Sequence, residues 1–102
     1  MSLKKMYLRS KPVCKVTFRV PKESADGAKH VSLVGEFNNW SEKSTPMKRL
    51  KNGDYTLTLE LETGRSFQYR YLIDKTRWEN DGEADAYVRS TFGNCDNSVV
   101  TT

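Results

Sequence analysis

The sequence predicts an all-β protein, an antiparallel sandwich of about seven to eight short strands. Three observations predict it. Apolar residues recur with period two along most of the chain, and Gly, Pro and Asn-Gly signals interrupt them about every eight to twelve residues. No stretch carries a helical period over about ten residues. With 102 residues, the chain has the size of one domain with a single core.

The strands can be read in order. Cys14, Val16, Phe18 and Val20 alternate with Lys15, Thr17 and Arg19, a strand with one wet face that ends at Pro21. Residues 22–29 are polar, with a turn at Asp26-Gly27. Val31 and Leu33 alternate with Ser32 and Val34 into Gly35. A loop over 37–45 follows, then a short strand over 46–50. Asn52-Gly53 predicts a hairpin with a type I′ turn. Tyr55, Leu57, Leu59 and Leu61 face inward, with Thr56, Thr58, Glu60 and Glu62 outward. After a turn at Thr63-Gly64-Arg65, Phe67, Tyr69, Tyr71 and Ile73 form the next inward set. Gln68, Arg70 and Leu72 take its other face. The stretch 74–85 is polar, and a last strand is expected over 98–101.

Charge is uneven. Residues 1–30 carry eight Lys/Arg against Glu23 and Asp26, a net of +6, and the rest carries nine basic against eleven acidic side chains, a net of −2. A basic N-terminal segment (1–12) therefore precedes the sandwich (13–102). An anionic partner is one use for it. A lysine-studded edge strand that discourages aggregation is the plainer one. No aromatic residues interleave with these lysines at the spacing of a stacking platform and no nucleic-acid motif is present, so nucleic acid is not the expected partner. No run of about twenty apolar residues spans a bilayer, and the basic N-terminus lacks the apolar stretch of a signal peptide. Cys14 and Cys95 have no CxxC spacing and are expected as reduced thiols, in a cytoplasmic protein.

Catalytic chemistry is not visible. His30 is the single histidine and has no nucleophile or orienting acid near it in sequence. Asp81, Glu83 and Asp85 alternate, but they lack the ligand pattern and glycine of a calcium loop and read as a solvated loop. No metal or cofactor is expected. Glu60 and Glu62 sit on an exposed strand face, the ordinary place for carboxylates.

Two tryptophans remain. Trp40 and Trp78 each close a polar, turn-prone segment, where a core indole is not expected. A sugar ring offers weakly apolar C–H faces and a rim of hydroxyls. Flat, rigid indoles suit the faces, and Asn, Asp, Arg or Lys suit the rim. Such groups accompany both tryptophans: Asn38 and Asn39 before Trp40, Arg70 before Trp78, and Phe92-Gly93-Asn94-Cys95-Asp96-Asn97 near the end. Structural roles are open to the same residues. Trp40 can cover the end of the sandwich, Trp78 can brace its own hairpin, Arg70 can form a surface salt bridge, and Asn97 can cap a turn. Phe37 is expected in the core.

Gly35-Glu36-Phe37-Asn38-Asn39-Trp40 resembles the G-x-F-N-x-W motif of family 48 carbohydrate-binding modules. These are early-set immunoglobulin-like domains of glycogen-binding kinase β subunits, isoamylases and branching enzymes. The resemblance continues through the segments 67–74, 78–81, 83–85 and 87–88, and ends with Phe92-Gly93 and Asn97-Ser98-Val99-Val100. It covers roughly residues 13–100, with a tail closer to the isoamylase-type branch. It implies an early-set sandwich that binds α-1,4-glucan (glycogen, starch or maltooligosaccharide) without catalysis. Trp40 and Trp78 match the stacking tryptophans, Arg70 the basic residue on the sugar hydroxyls, Phe92 the apolar brace, and Asn94 and Asp96 polar positions of the same loop. Three departures stand out: Lys75 replaces the glycine usual after Asp74, Asp96 stands where Asn is frequent, and Arg70 stands where many relatives have Lys, a change in hydrogen-bond geometry. The alternative is an early-set interaction module, docking to an amylolytic enzyme or pairing with itself.

Overall fold

The period-two segments form two antiparallel sheets packed face to face. The computed structural model describes residues 1–90 and 95–102. In the first sheet the order is β1 (Ser2–Tyr7), β2 (Val13–Val20), β5 (Tyr55–Glu62), β4 (Lys48–Arg49). In the second it is β3 (Val31–Gly35), β6 (Ser66–Ile73), β9 (Asp96–Thr101), β8 (Ala86–Arg89). The three-residue strand β7 (Arg77–Glu79) pairs with β6 beyond the end of β9.

The inward residues are those the alternation selects. Cys14, Val16, Phe18 and Val20 of β2 meet Val31 and Leu33 of β3 and Phe67, Tyr69, Tyr71 and Ile73 of β6 in one buried cluster. Burying each large apolar side chain contributes about 1.5–3 kcal/mol. Phe18 meets Tyr69 edge-on at 5.2 Å and Phe37 at 5.8 Å, so Phe37, partly buried, packs against the core.

Residues 2–7 form the lysine-bearing edge strand that the plainer reading expects, β1, which pairs with residues 14–19 of β2; Lys5 pairs with Asp85 at 2.7 Å, and the Tyr7 hydroxyl donates to the Thr102 carbonyl. Other elements differ from expectation. The Asp26-Gly27 turn closes one helical turn, α1 (Lys22–Ala25), with both residues at positive φ. The Asn52-Gly53 hairpin is not type I′. Gly53 alone of the pair has positive φ, its N–H donates to Leu50 O, and Leu50 N–H donates to Asp54 O. This is a three-residue loop with glycine at the left-handed position. The polar stretch 74–85 contains β7, which sequence alternation cannot reveal over three residues.

Asp81 overturns the solvated-loop reading of its segment. Its carboxylate is fully buried, and one oxygen accepts from the hydroxyls of Tyr69 (3.0 Å) and Tyr71 (3.1 Å). The other accepts from the Glu83 N–H at 2.8 Å. Burial first, then the neighbouring Asp81 charge, pushes both phenols far above their ordinary range. In the unfolded chain these phenols ionise near pH ~10. The stabilisation is therefore complete below that pH and is lost as pH rises beyond it, by up to about 2.7 kcal/mol per pH unit for two groups. The tyrosinate absorbance of Tyr69 and Tyr71 should appear only together with loss of the β-sheet signal. Full tyrosine ionisation in a still-folded domain would refute this.

Candidate functional site

The outer face of the second sheet, turned away from the first, carries a cleft of about 420 Å³. Period two places its residues: Val34 of β3 lies directly opposite Arg70 of β6, and Trp78 of β7 pairs with Leu72, two residues further along the same face of β6. Trp40, Trp78 and Arg70 all line this one cleft, together with Gln68, Asn97 and Glu36. Trp40 is 37% and Trp78 40% exposed, so neither indole belongs to the core and both face the same space.

Trp40 is held by its loop. The strand β3 runs into a 3-10 turn (Glu36–Asn38), and Asn39 and Trp40 follow in left-handed conformation at φ 57 and 58. The Trp40 N–H donates to Gly35 O at 2.8 Å. Asn38 is the clamp. Its Oδ1 accepts from the N–H groups of Gly35 (3.2 Å) and Ser41 (3.1 Å). Its Nδ2 donates to Leu33 O (3.1 Å) and Thr45 Oγ1 (2.7 Å). Asn38, grouped from sequence with the sugar-facing amides, is thus committed to shaping the loop.

Arg70 and Trp78 form a unit. The guanidinium carbon lies 5.2 Å from the centroid of the indole, and Nη1 donates to Cys95 Sγ at 3.5 Å. A cation over an exposed indole contributes about 0.5–1 kcal/mol and steadies the ring. Among the described residues Arg70 takes part in no salt bridge. Its buried Nε and the buried Oδ1 of Asn97 have no hydrogen-bond partner among those residues.

The sequence assigns Asp96 to the site and Asn97 to a turn; of the two, Asn97 lines the cleft. Both lie in β9, where neighbours point to opposite faces. Asn97 faces the cleft and donates from Nδ2 to Gln68 Oε1 at 3.0 Å. Asp96 falls on the other side, where its carboxylate is 3.8 Å from Arg89 Nε. Gln68 was also missed, although it lies two residues before Arg70 on the same face. Phe92 and Asn94 lie outside the described residues. Val34, buried at 0% exposure, gives the cleft an apolar patch of floor.

The family model of carbohydrate-binding module 48 (isoamylase N-terminal domain) matches residues 11–88. The chain belongs to this carbohydrate-binding family. Among its relatives are β subunits of 5'-AMP-activated protein kinase. The beta-2 subunit of Mus musculus is 32% identical over 75 residues, which are 74% of this chain and 26% of that protein. The Homo sapiens beta-2 subunit gives the same figures. The beta-1 subunit of Sus scrofa is 36% identical over 73 residues, 72% of this chain and 55% of that protein. The chain thus spans about a quarter of the beta-2 subunits. As a member of the module 48 family it has an early-set immunoglobulin-like sandwich, with the cleft on one sheet face.

Proposed function

We propose that the protein is a non-catalytic binder of α-1,4-glucan, of the glycogen or starch type. The observation that carries this reading is the pairing of Trp40 and Trp78 at one open cleft, with Arg70, Gln68 and Asn97 beside them. Indoles stack on the apolar faces of glucose units, and the guanidinium and amides meet hydroxyls at the rim. Two exposed rings at a wet site support a Kd of roughly micromolar to millimolar after the ordering cost of an oligosaccharide. Free thiols at Cys14 and Cys95 fit a cytoplasmic setting.

Trp40→Ala should weaken binding to maltoheptaose by at least ~1 kcal/mol, about fivefold, on the scale of aromatic contacts. Unchanged retention in a glycogen-containing gel would refute the stacking role. A second reading is docking to an amylolytic enzyme or self-association. It draws on exposed Met6 and Tyr7 of the edge strand β1. Size-exclusion chromatography with and without sugar separates the two: a sugar-independent dimer with no gel retardation favours docking.

A further inference from the structure

A second groove, of about 290 Å³, opens at the side of the sandwich between β3 and β4. Its rim carries Lys29, His30, Lys43, Arg49 and Lys75, and a single carboxylate, Glu42. Its floor includes the buried Val31 and Met47. Among the described residues, the salt bridges use Lys5, Arg19, Arg65, Arg77 and Arg89, and none uses a basic residue of this rim. Like charges gathered over an apolar wall repel one another, and that wall focuses their field on whatever enters. Asp74, bonded to the Lys29 and His30 N–H groups, offsets part of this charge, and the remaining excess around Lys43, Arg49 and Lys75 favours an anion.

Lys75 sharpens the point. Asp74 and Lys75 both lie in the left-handed region, at φ 53 and 62. That conformation favours glycine, yet a lysine occupies position 75. The turn is fixed by Asp74, whose Oδ1 accepts from the N–H groups of Lys29 (2.8 Å) and His30 (2.9 Å). Asp74 itself does not line the groove; Lys75 does. An uncommon backbone state held rigidly at a charged rim is the pattern of a functional position.

The groove also continues the carbohydrate cleft. Glu42 lines both. Ser32 of the groove and Val34 of the cleft stand two residues apart on one face of β3, roughly 7 Å along the strand. We propose that the groove is a phosphate subsite of the same binding face. The preferred ligand is then a glucan bearing a phosphate monoester, with sugar rings at the indoles and the phosphate among Lys29, Lys43, Arg49 and Lys75. This rests on the glucan-binding reading above. A phosphomonoester brings a charge of about −1.5 to −2 and three acceptor oxygens, which matches several converging cations.

The test titrates the chain with neutral maltoheptaose, a phosphorylated maltooligosaccharide of equal length, glucose 6-phosphate and inorganic phosphate. The phosphorylated oligomer should bind about tenfold more tightly than the neutral one, with the margin shrinking as salt rises. Glucose 6-phosphate and inorganic phosphate should bind more weakly than the phosphorylated oligomer. Lys75→Gly suits the left-handed turn and removes one cation. It should leave stability and neutral binding intact and cut the phosphate preference severalfold, and adding Arg49→Gln should remove most of it. Equal affinity for the two oligomers, or a preference untouched by both substitutions, overturns the groove while leaving the glucan reading in place. Failure of neutral maltoheptaose to bind sinks the glucan reading itself. Inorganic phosphate matching the phosphorylated oligomer would overturn the link to the cleft in favour of a free-anion site. A random oligonucleotide binding more tightly than either would overturn it in favour of nucleic acid.

Discussion

Asp81→Ala is expected to destabilise the domain by about 3–5 kcal/mol, the range for breaking a buried, fully bonded charged group away from its partners. The substitution strands two phenol hydroxyls, those of Tyr69 and Tyr71, in the middle of the core. It also removes the acceptor of the Glu83 N–H. The backbone of the same residue is engaged as well: its N–H donates to Ser98 Oγ at 2.9 Å and its carbonyl accepts from Tyr87 OH at 2.6 Å. Those two bonds do not need the side chain, so loss of the carboxylate is the whole perturbation. Asp81→Asn is expected to be milder. Its amide oxygen can keep the Glu83 N–H, but the NH2 then faces the two phenols and turns them from donors into acceptors. Urea denaturation measures both variants. A loss below about 1 kcal/mol for the alanine variant would mean the phenols find other partners.

Gly35→Ala is expected to cost about 1–3 kcal/mol through overpacking. At φ −170 the backbone is extended and any residue adopts it, so the requirement is for space. A Cβ at this position would sit 2.5 Å from the Gln68 carbonyl oxygen, 2.8 Å from Tyr69 Cβ and 2.9 Å from Phe37 Cζ. Two of these atoms belong to, or are attached directly to, the β6 backbone and cannot swing aside. The joint between β3 and the Trp40 loop must therefore shift. Because Gly35 O accepts the Trp40 N–H, the indole moves with it, and glucan affinity should fall even in the folded fraction. Gly82→Ala is the control: nothing lies within 4 Å of a Cβ there, so a change within about 0.5 kcal/mol is expected. Equal effects at the two glycines would refute the close-approach account.

Strands that bury one face were legible because alternation is a direct record of burial. That held for β2 and β6, with Phe18, Tyr69 and Tyr71 in the places the pattern assigned. Short strands were not: β7 is too short to show a period, and β1 was legible only from its lysines, since with one neighbour Lys4-Lys5-Met6-Tyr7 need not alternate. The two indoles were legible from polarity, since Trp40 and Trp78 each close a polar, turn-prone segment. Which neighbours join them was not, because that depends on register. A shift of one residue exchanges Asp96 for Asn97 at the cleft, and composition cannot fix that parity. Asp81 was misread for a related reason. Its burial is decided by phenols on another strand, not by the hydrophilic residues beside it.

β3 and β7 flank β6 on opposite sides; among the described residues no further named strand of that sheet lies beyond either at this level, and β3 is bordered only by the segment 45–47 through the Ser32–Pro46 bridge. On the proposed reading, a polymer touching both indoles must travel crosswise over the strands and depart beyond either border. Such a path asks for no reducing or non-reducing terminus, so the interior of a long chain is as good a foothold as its tips.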